Sequence, residues 1–89
     1  MGFFLGSNPE PSLRMLMAIN RLKERFCLPV MVCVSRKSFL KSVTGRETHE
    51  LGAATLAAEL YAAAQGVDYI RTHDVRALSD ALKVIQALL

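Results

Sequence analysis

The stretch Pro29-Val-Met-Val-Cys-Val34, followed at once by Ser35-Arg36-Lys37-Ser38, decides how the rest of the chain is read. An apolar run this short is strand-sized rather than helix-sized, and it does not alternate as a half-exposed strand would. Continuous apolar sequence of this length marks a strand covered on both faces, usually a parallel one. Parallel strands need crossovers of a dozen or more residues, usually helices, so helical sequence is expected on either side.

It is found on both sides. Over residues 12–26, Leu13, Leu16, Met17 and Asn20 fall at i, i+3, i+4 and i+7, with Leu22 and Phe26 extending the same side. Pro9 and Pro11 suit the first turn of that helix, and Arg21, Lys23 and Arg25 suit its last. Downstream, Thr44-Gly-Arg-Glu47 has capping-box spacing and introduces a stretch over residues 46–65 rich in Ala, Leu and Glu, closed by Gly66. Its many alanines would let this helix approach a neighbour closely. Residues 67–71, Val-Asp-Tyr-Ile-Arg, predict a second short strand, and Asp74 offers an N-cap to a last helix carrying Val75, Leu78, Leu82, Ile85 and Leu89.

The order α, β, α, β, α is the grammar of a parallel α/β sheet. Two parallel strands cannot cover their own edges, so the chain reads as a portion of a larger α/β domain. With 89 residues there is room for one small domain, and 52% hydrophobic against 21% charged residues is the balance of a core former. Eleven Lys and Arg against eight Asp and Glu give a net charge of +3, mild for a nucleic-acid binder and sufficient for a local anion site.

Cys27 and Cys33 lack metal or redox spacing and read as reduced core thiols. His49 has no ligand partner at helical spacing and reads as a surface or capping histidine. No apolar stretch approaches the length of a membrane span, and the opening Met1-Gly-Phe-Phe-Leu-Gly-Ser7 lacks the basic segment of a signal peptide. The expectation is a cytoplasmic chain with neither nucleic acid nor membrane as partner.

In parallel α/β folds ligands are met at the carboxyl ends of the strands. Two polar clusters stand there. After the second strand, Arg71 offers a planar fork for phosphate oxygens, His73 adds a donor, and the free amides of the following helix favour an anion. The alternative is that Arg71 pairs with Asp74 or Asp68 and His73 merely closes a loop. After the first strand, Lys37 is a mobile point charge, Ser35 can present its hydroxyl or backbone, and Arg36 suits a structural salt bridge, while the whole could equally be a solvated basic loop. Phe39 and Leu40 read as core anchors for that loop. No Ser/His/Asp arrangement, P-loop or pair of catalytic carboxylates can be assembled.

Val34-Ser-Arg-Lys-Ser-Phe39, then Gly52-Ala-Ala-Thr55, then Tyr69-Ile-Arg-Thr-His-Asp74, in this order, closely resemble the last part of the dihydropteroate synthase family. Met1 to Gly6 resembles the remainder of that family's loop after the sixth barrel strand. The resemblance implies a partial (β/α)8 TIM barrel: residues 1–89 as the C-terminal portion of a pterin-binding domain, comprising the last two βα units and the preceding helix. A complete barrel needs about 250 residues.

The family is a transferase of folate biosynthesis, condensing 6-hydroxymethyl-7,8-dihydropterin pyrophosphate with p-aminobenzoate to give dihydropteroate and pyrophosphate. By resemblance Lys37 lines the pterin and aminobenzoate pocket, Ser35 contacts the aminobenzoate, Arg71 and His73 hold the pyrophosphate, and Phe3 meets the aminobenzoate ring. No residue here is assigned a covalent or acid-base catalytic role. Magnesium accompanies the pyrophosphate in the full-length family enzyme, without identifiable ligands in this chain. Cys33 replaces a smaller residue, and Phe4 and Leu5 replace a Gly-Lys pair seen in many members. The pterin-reading residues of the family have no counterpart in this chain, so it is expected to be inactive alone and to form homo-oligomers or domain-swapped assemblies that hide its strand edges. The competing reading is a non-catalytic anion-binding or protein-interaction module derived from the barrel.

Overall fold

The computed structural model describes residues 8–89. Helix α1 spans Pro9–Phe26, strand β1 Met31–Val32, helix α2 Ser38–Thr44, helix α3 Gly52–Ala64, strand β2 Tyr69–Ile70 and helix α4 Val75–Leu88, with a 3-10 turn at Thr48–Glu50. The strands are parallel, with Met31 opposite Tyr69 and Val32 opposite Ile70. The α/β order expected from the sequence is therefore present, with strands shorter than the apolar runs that announced them.

Their shortness has a local cause. β2 is entered through Asp68, whose carboxylate accepts from the Val30 amide at 2.7 Å and from the Lys23 ammonium at 3.2 Å. The Val30 amide, with Lys23 second, holds that carboxyl below the usual carboxylate range. A side chain thus takes a backbone donor that a longer ladder would use, and it also fastens the end of α1 to the sheet.

β1 alternates after all. Val32 and Val34 are buried, whereas Met31 is 51% exposed and its partner Tyr69 65% exposed. One face of the sheet is covered by helices and the other is open. Strand periodicity puts Cys33 and Arg71 on the same open face as Met31 and Tyr69. The covered face meets a core of Leu16, Ile19, Phe39, Leu40, Leu51 and Ala62. Of the α1 arc expected from spacing, Leu16 is buried but Leu13, Met17 and Asn20 are not; the buried arc is Ser12, Leu16 and Ile19. Leu13 and Met17 face outward beside Tyr61, where they line a groove between α1, α2 and α3.

Helix α2 interrupts what the sequence suggested was one long approach to the Ala-rich helix. Phe39 and Leu40 bury its inner face, confirming them as anchors. Gly45, at φ +71°, ends it by donating its amide to the Lys41 carbonyl. Thr44 therefore closes a helix rather than opening one, its hydroxyl bonding the Leu40 carbonyl at 2.7 Å. The capping box lies three residues on, between Glu47 and Glu50, and serves only the 3-10 turn. Asp74 caps α4 as expected, accepting from the Ala77 amide at 3.0 Å. Cys27 is exposed at the end of α1 and is not a core thiol, while Cys33 is partly buried. Among the described residues no helix is long and apolar enough to cross a membrane.

Candidate functional site

Both polar clusters lie where β1 and β2 end, and they meet. Ser35, Lys37, Arg71 and His73 line one open concavity of about 690 Å³, with Cys33, Arg36, Thr48 and Thr72 completing its wall. Sequence separation between the two clusters exceeds thirty residues. Parallel pairing in register brings them together, because each follows its strand by the same few residues.

The first cluster is held by a sharp turn. The Lys37 amide donates to the Val34 carbonyl at 3.2 Å, and Arg36 sits at φ +57°, in the left-handed region that disfavours a residue with a Cβ. The cost, about 1 kcal/mol or more, is offset by packing and by the Arg36 amide, which donates to the Thr55 hydroxyl at 3.0 Å. Thr55 comes from the buried face of α3. Nothing in the composition of Ser-Arg-Lys-Ser announces a left-handed arginine. The turn delivers Lys37 as the residue before α2, with its side chain free of capping duty.

Ser35 and His73 are the physical link. His73 Nδ1 lies 2.6 Å from Ser35 Oγ, and the His73 amide reaches the same oxygen at 3.4 Å. With the Ser35 hydroxyl accepting from that amide, its own proton is available to Nδ1. This arrangement favours the tautomer carrying its proton on Nε2, the edge turned away from Ser35. Ser35 is buried, so its hydroxyl orients the histidine before it can meet any ligand.

Arg71 donates its amide to the Val32 carbonyl at 2.9 Å, which fixes its backbone as the continuation of β2. Neither acidic neighbour claims its guanidinium: Asp68 is paired with Lys23, and Asp74 is spent on the α4 cap. Among the described residues, Lys37, Arg36 and Arg71 make no ion pair, so Arg36 does not form the structural salt bridge expected of it. Three cations and a histidine thus border one concavity without a carboxylate partner. Such a field concentrates anions.

Sequence reasoning missed Glu59. It is 1% exposed on the inner face of α3, where it lines a cleft together with Thr72 and His73 and its Oε2 has no partner. Burial pushes its carboxyl above the ordinary value, the Thr72 bond and His73 opposing that rise. The signal was a lone acid among alanines, which looks like a solvated helix position. His49 lies exposed in the 3-10 turn, and among the described residues no three His, Cys, Asp or Glu side chains gather as a metal-holding group. Phe3, assigned by resemblance to the aminobenzoate ring, lies outside the described residues.

Comparison with known proteins agrees with this geometry. The family described as "Pterin binding enzyme" matches residues 1–73. Dihydropteroate synthase type-2 of Escherichia coli is 59% identical over 88 residues, covering 99% of this chain and 32% of that protein. Dihydropteroate synthase of Xanthomonas albilineans, solved with 4-aminobenzoic acid, superposes with a TM-score of 0.89 at 38% identity, over 99% of this chain and 32% of the other. The same enzyme in complex with 7,8-dihydropteroate also gives 0.89 at 38% identity, over 99% and 34%. The chain spans about a third of the length of the curated relatives it matches. With a match running from the first residue through the His73 motif, and a fold that superposes along nearly its whole length, the chain belongs to the pterin-binding enzyme family.

Proposed function

We propose that this chain is the C-terminal portion of a dihydropteroate synthase, contributing one wall of the site where 6-hydroxymethyl-7,8-dihydropterin pyrophosphate condenses with p-aminobenzoate. On this reading its two βα units and preceding helix are part of a (β/α)8 barrel. The open face carrying Met31, Tyr69, Cys33 and Arg71 then becomes barrel interior, which supplies the second cover that the apolar sequence of β1 calls for. In isolation that face would be hidden by a second copy or by exchanged elements.

The observation that carries the proposal is the convergence of Lys37, Arg71, Ser35 and His73 on one concavity at the strand ends. Arg71 can present two parallel donors to phosphate oxygens, and His73 a third through Nε2. As the bond from the pterin methylene to pyrophosphate breaks, negative charge grows on the leaving group, and fixed cations stabilise it there more than in the ground state. Lys37, which lines the same concavity, is assigned to border both the pterin and the aminobenzoate. Ser35 keeps the histidine edge aimed and borders the aminobenzoate. What these residues supply is charge and orientation; bringing two substrates together in line accounts for a further large part of the barrier. Magnesium does not fit this wall, which carries Arg36, Lys37 and Arg71 and, among the described residues, no carboxylate, and no step described here runs through it.

The test is calorimetric titration of the chain with inorganic pyrophosphate at low ionic strength. Binding is expected for the wild type, weakened about tenfold or more in Arg71→Ala, as for loss of a charge-assisted bond. Equal affinity in both would remove Arg71 from the site and overturn the assignment.

A further inference from the structure

We propose that Glu59 is a positioning residue for the anion site: through the Thr72 hydroxyl its carboxyl fixes the loop after β2, and so holds the His73 ring on Ser35. The inference rests on the reading of His73 as a pyrophosphate donor, and goes beyond it by assigning a residue that never meets the ligand.

The chain of bonds can be followed donor by donor. The Asp74 amide donates to Thr72 Oγ1 at 3.3 Å. Having accepted there, the Thr72 hydroxyl is left with its own proton to give, and the Glu59 carboxyl, which lines the same cleft, is the acceptor at hand. Between Thr72 and Asp74, the N-cap of α4, stands His73 itself. The loop is thus held at three points: Asp74 on Ala77, Thr72 on Glu59, and His73 on Ser35.

A structural role alone is a poor explanation for an acid at this place. Glu59 lies on the buried face of α3 between Thr55 and Ala62, and burying a carboxyl there is costly unless its bonds are made. Oε2 is left without a partner, and Glu59 helps to line a cleft of about 220 Å³ that Ser35, Thr72 and His73 also border. That cleft adjoins the concavity, since Ser35, Arg36, Thr72 and His73 border both. An alanine at position 59 would suit the helix better by propensity alone. The carboxyl serves the loop rather than the helix.

The experiment is nitrogen NMR of the His73 ring in the full 89-residue chain, without ligand and with inorganic pyrophosphate, for wild type, Glu59→Ala, Thr72→Val and Glu59→Gln. In the ligand-free wild type Nδ1 is expected to show the shift of an unprotonated acceptor. Glu59→Ala and Thr72→Val are both expected to average the two ring nitrogens and to weaken pyrophosphate binding about tenfold. Glu59→Gln keeps an acceptor for Thr72 and is expected to recover most of the ring signature that Glu59→Ala loses. Thr72→Val leaves the α3 helix untouched, so it decides the matter even where Glu59→Ala does not fold. An unchanged ring signature in Thr72→Val overturns the proposal. A wild type that shows the ring signature yet binds no pyrophosphate would instead overturn the anion-site reading and leave the positioning role standing.

Discussion

Replacing Phe39 with Ala tests how the first cluster is anchored. Phe39 is fully buried, is the largest of the completely enclosed side chains, and lies one residue inside α2, two residues after Lys37. Truncating a buried Phe to Ala costs about 3 to 5 kcal/mol through lost transfer energy and residual cavity. A chain of this size is expected to have about 4 to 13 kcal/mol of total stability. The substitution therefore removes a large fraction of it. With a urea slope of about 1.5 kcal/mol/M, the unfolding midpoint should fall by about 2 to 3 M. Val43→Ala, on the outer side of the same helix at 55% exposure, should change stability by less than about 1 kcal/mol. Urea unfolding followed by far-UV circular dichroism measures both. A Phe39→Ala loss below about 1 kcal/mol would refute the claim that α2 is pinned by a core contact, and with it the account of how Lys37 is held at the rim.

Two further outcomes are expected. Asp74→Ala removes the N-cap bond to Ala77 and should cost about 1 kcal/mol in the same unfolding assay, with no gain from helix propensity since position 74 precedes the helix. Because burial raises the Glu59 carboxyl above its ordinary value of 4.5, its contribution to stability is complete below that value and is lost as pH rises through the higher folded-state value. Glu59→Gln cannot ionise, so the fall in stability as pH rises above the ordinary carboxyl value should be smaller in this variant than in wild type; an identical fall in both would place the titration elsewhere.

Much of the site was legible because strand ends are. An apolar run followed by Ser-Arg-Lys-Ser, and another followed by Arg-Thr-His-Asp, locate two polar clusters at equivalent positions of parallel strands, and pairing then makes them neighbours. Asp74 as a cap was equally readable, since an acid before an apolar periodic stretch has few other roles. Periodicity misplaced the buried arc of α1 because Ser12 at its start is a core residue and Met17 is not, a reversal that hydrophobicity cannot foresee. Thr44-Gly-Arg-Glu47 has capping-box spacing, yet its Gly45 is the stop of a preceding helix, which spacing alone does not reveal. The double cover expected of β1 is half present: Val32 and Val34 are buried, while Met31 and its partner Tyr69 are exposed on the other face. The left-handed Arg36 and the Glu59–Thr72 pair depend on contacts between α3 and the loops, which no local pattern encodes.

The central claim, that this chain is a working wall of a dihydropteroate synthase site, is tested most directly by transplantation. The matching 88-residue segment of Escherichia coli dihydropteroate synthase type-2 is replaced by the corresponding residues of this chain, and dihydropteroate formation from pterin pyrophosphate and p-aminobenzoate is measured. The account predicts an active chimera whose activity falls at least about tenfold with Arg71→Ala, the equivalent of one lost charge-assisted bond. A chimera that folds and binds its substrates yet forms no dihydropteroate, or one indifferent to Arg71, would contradict it.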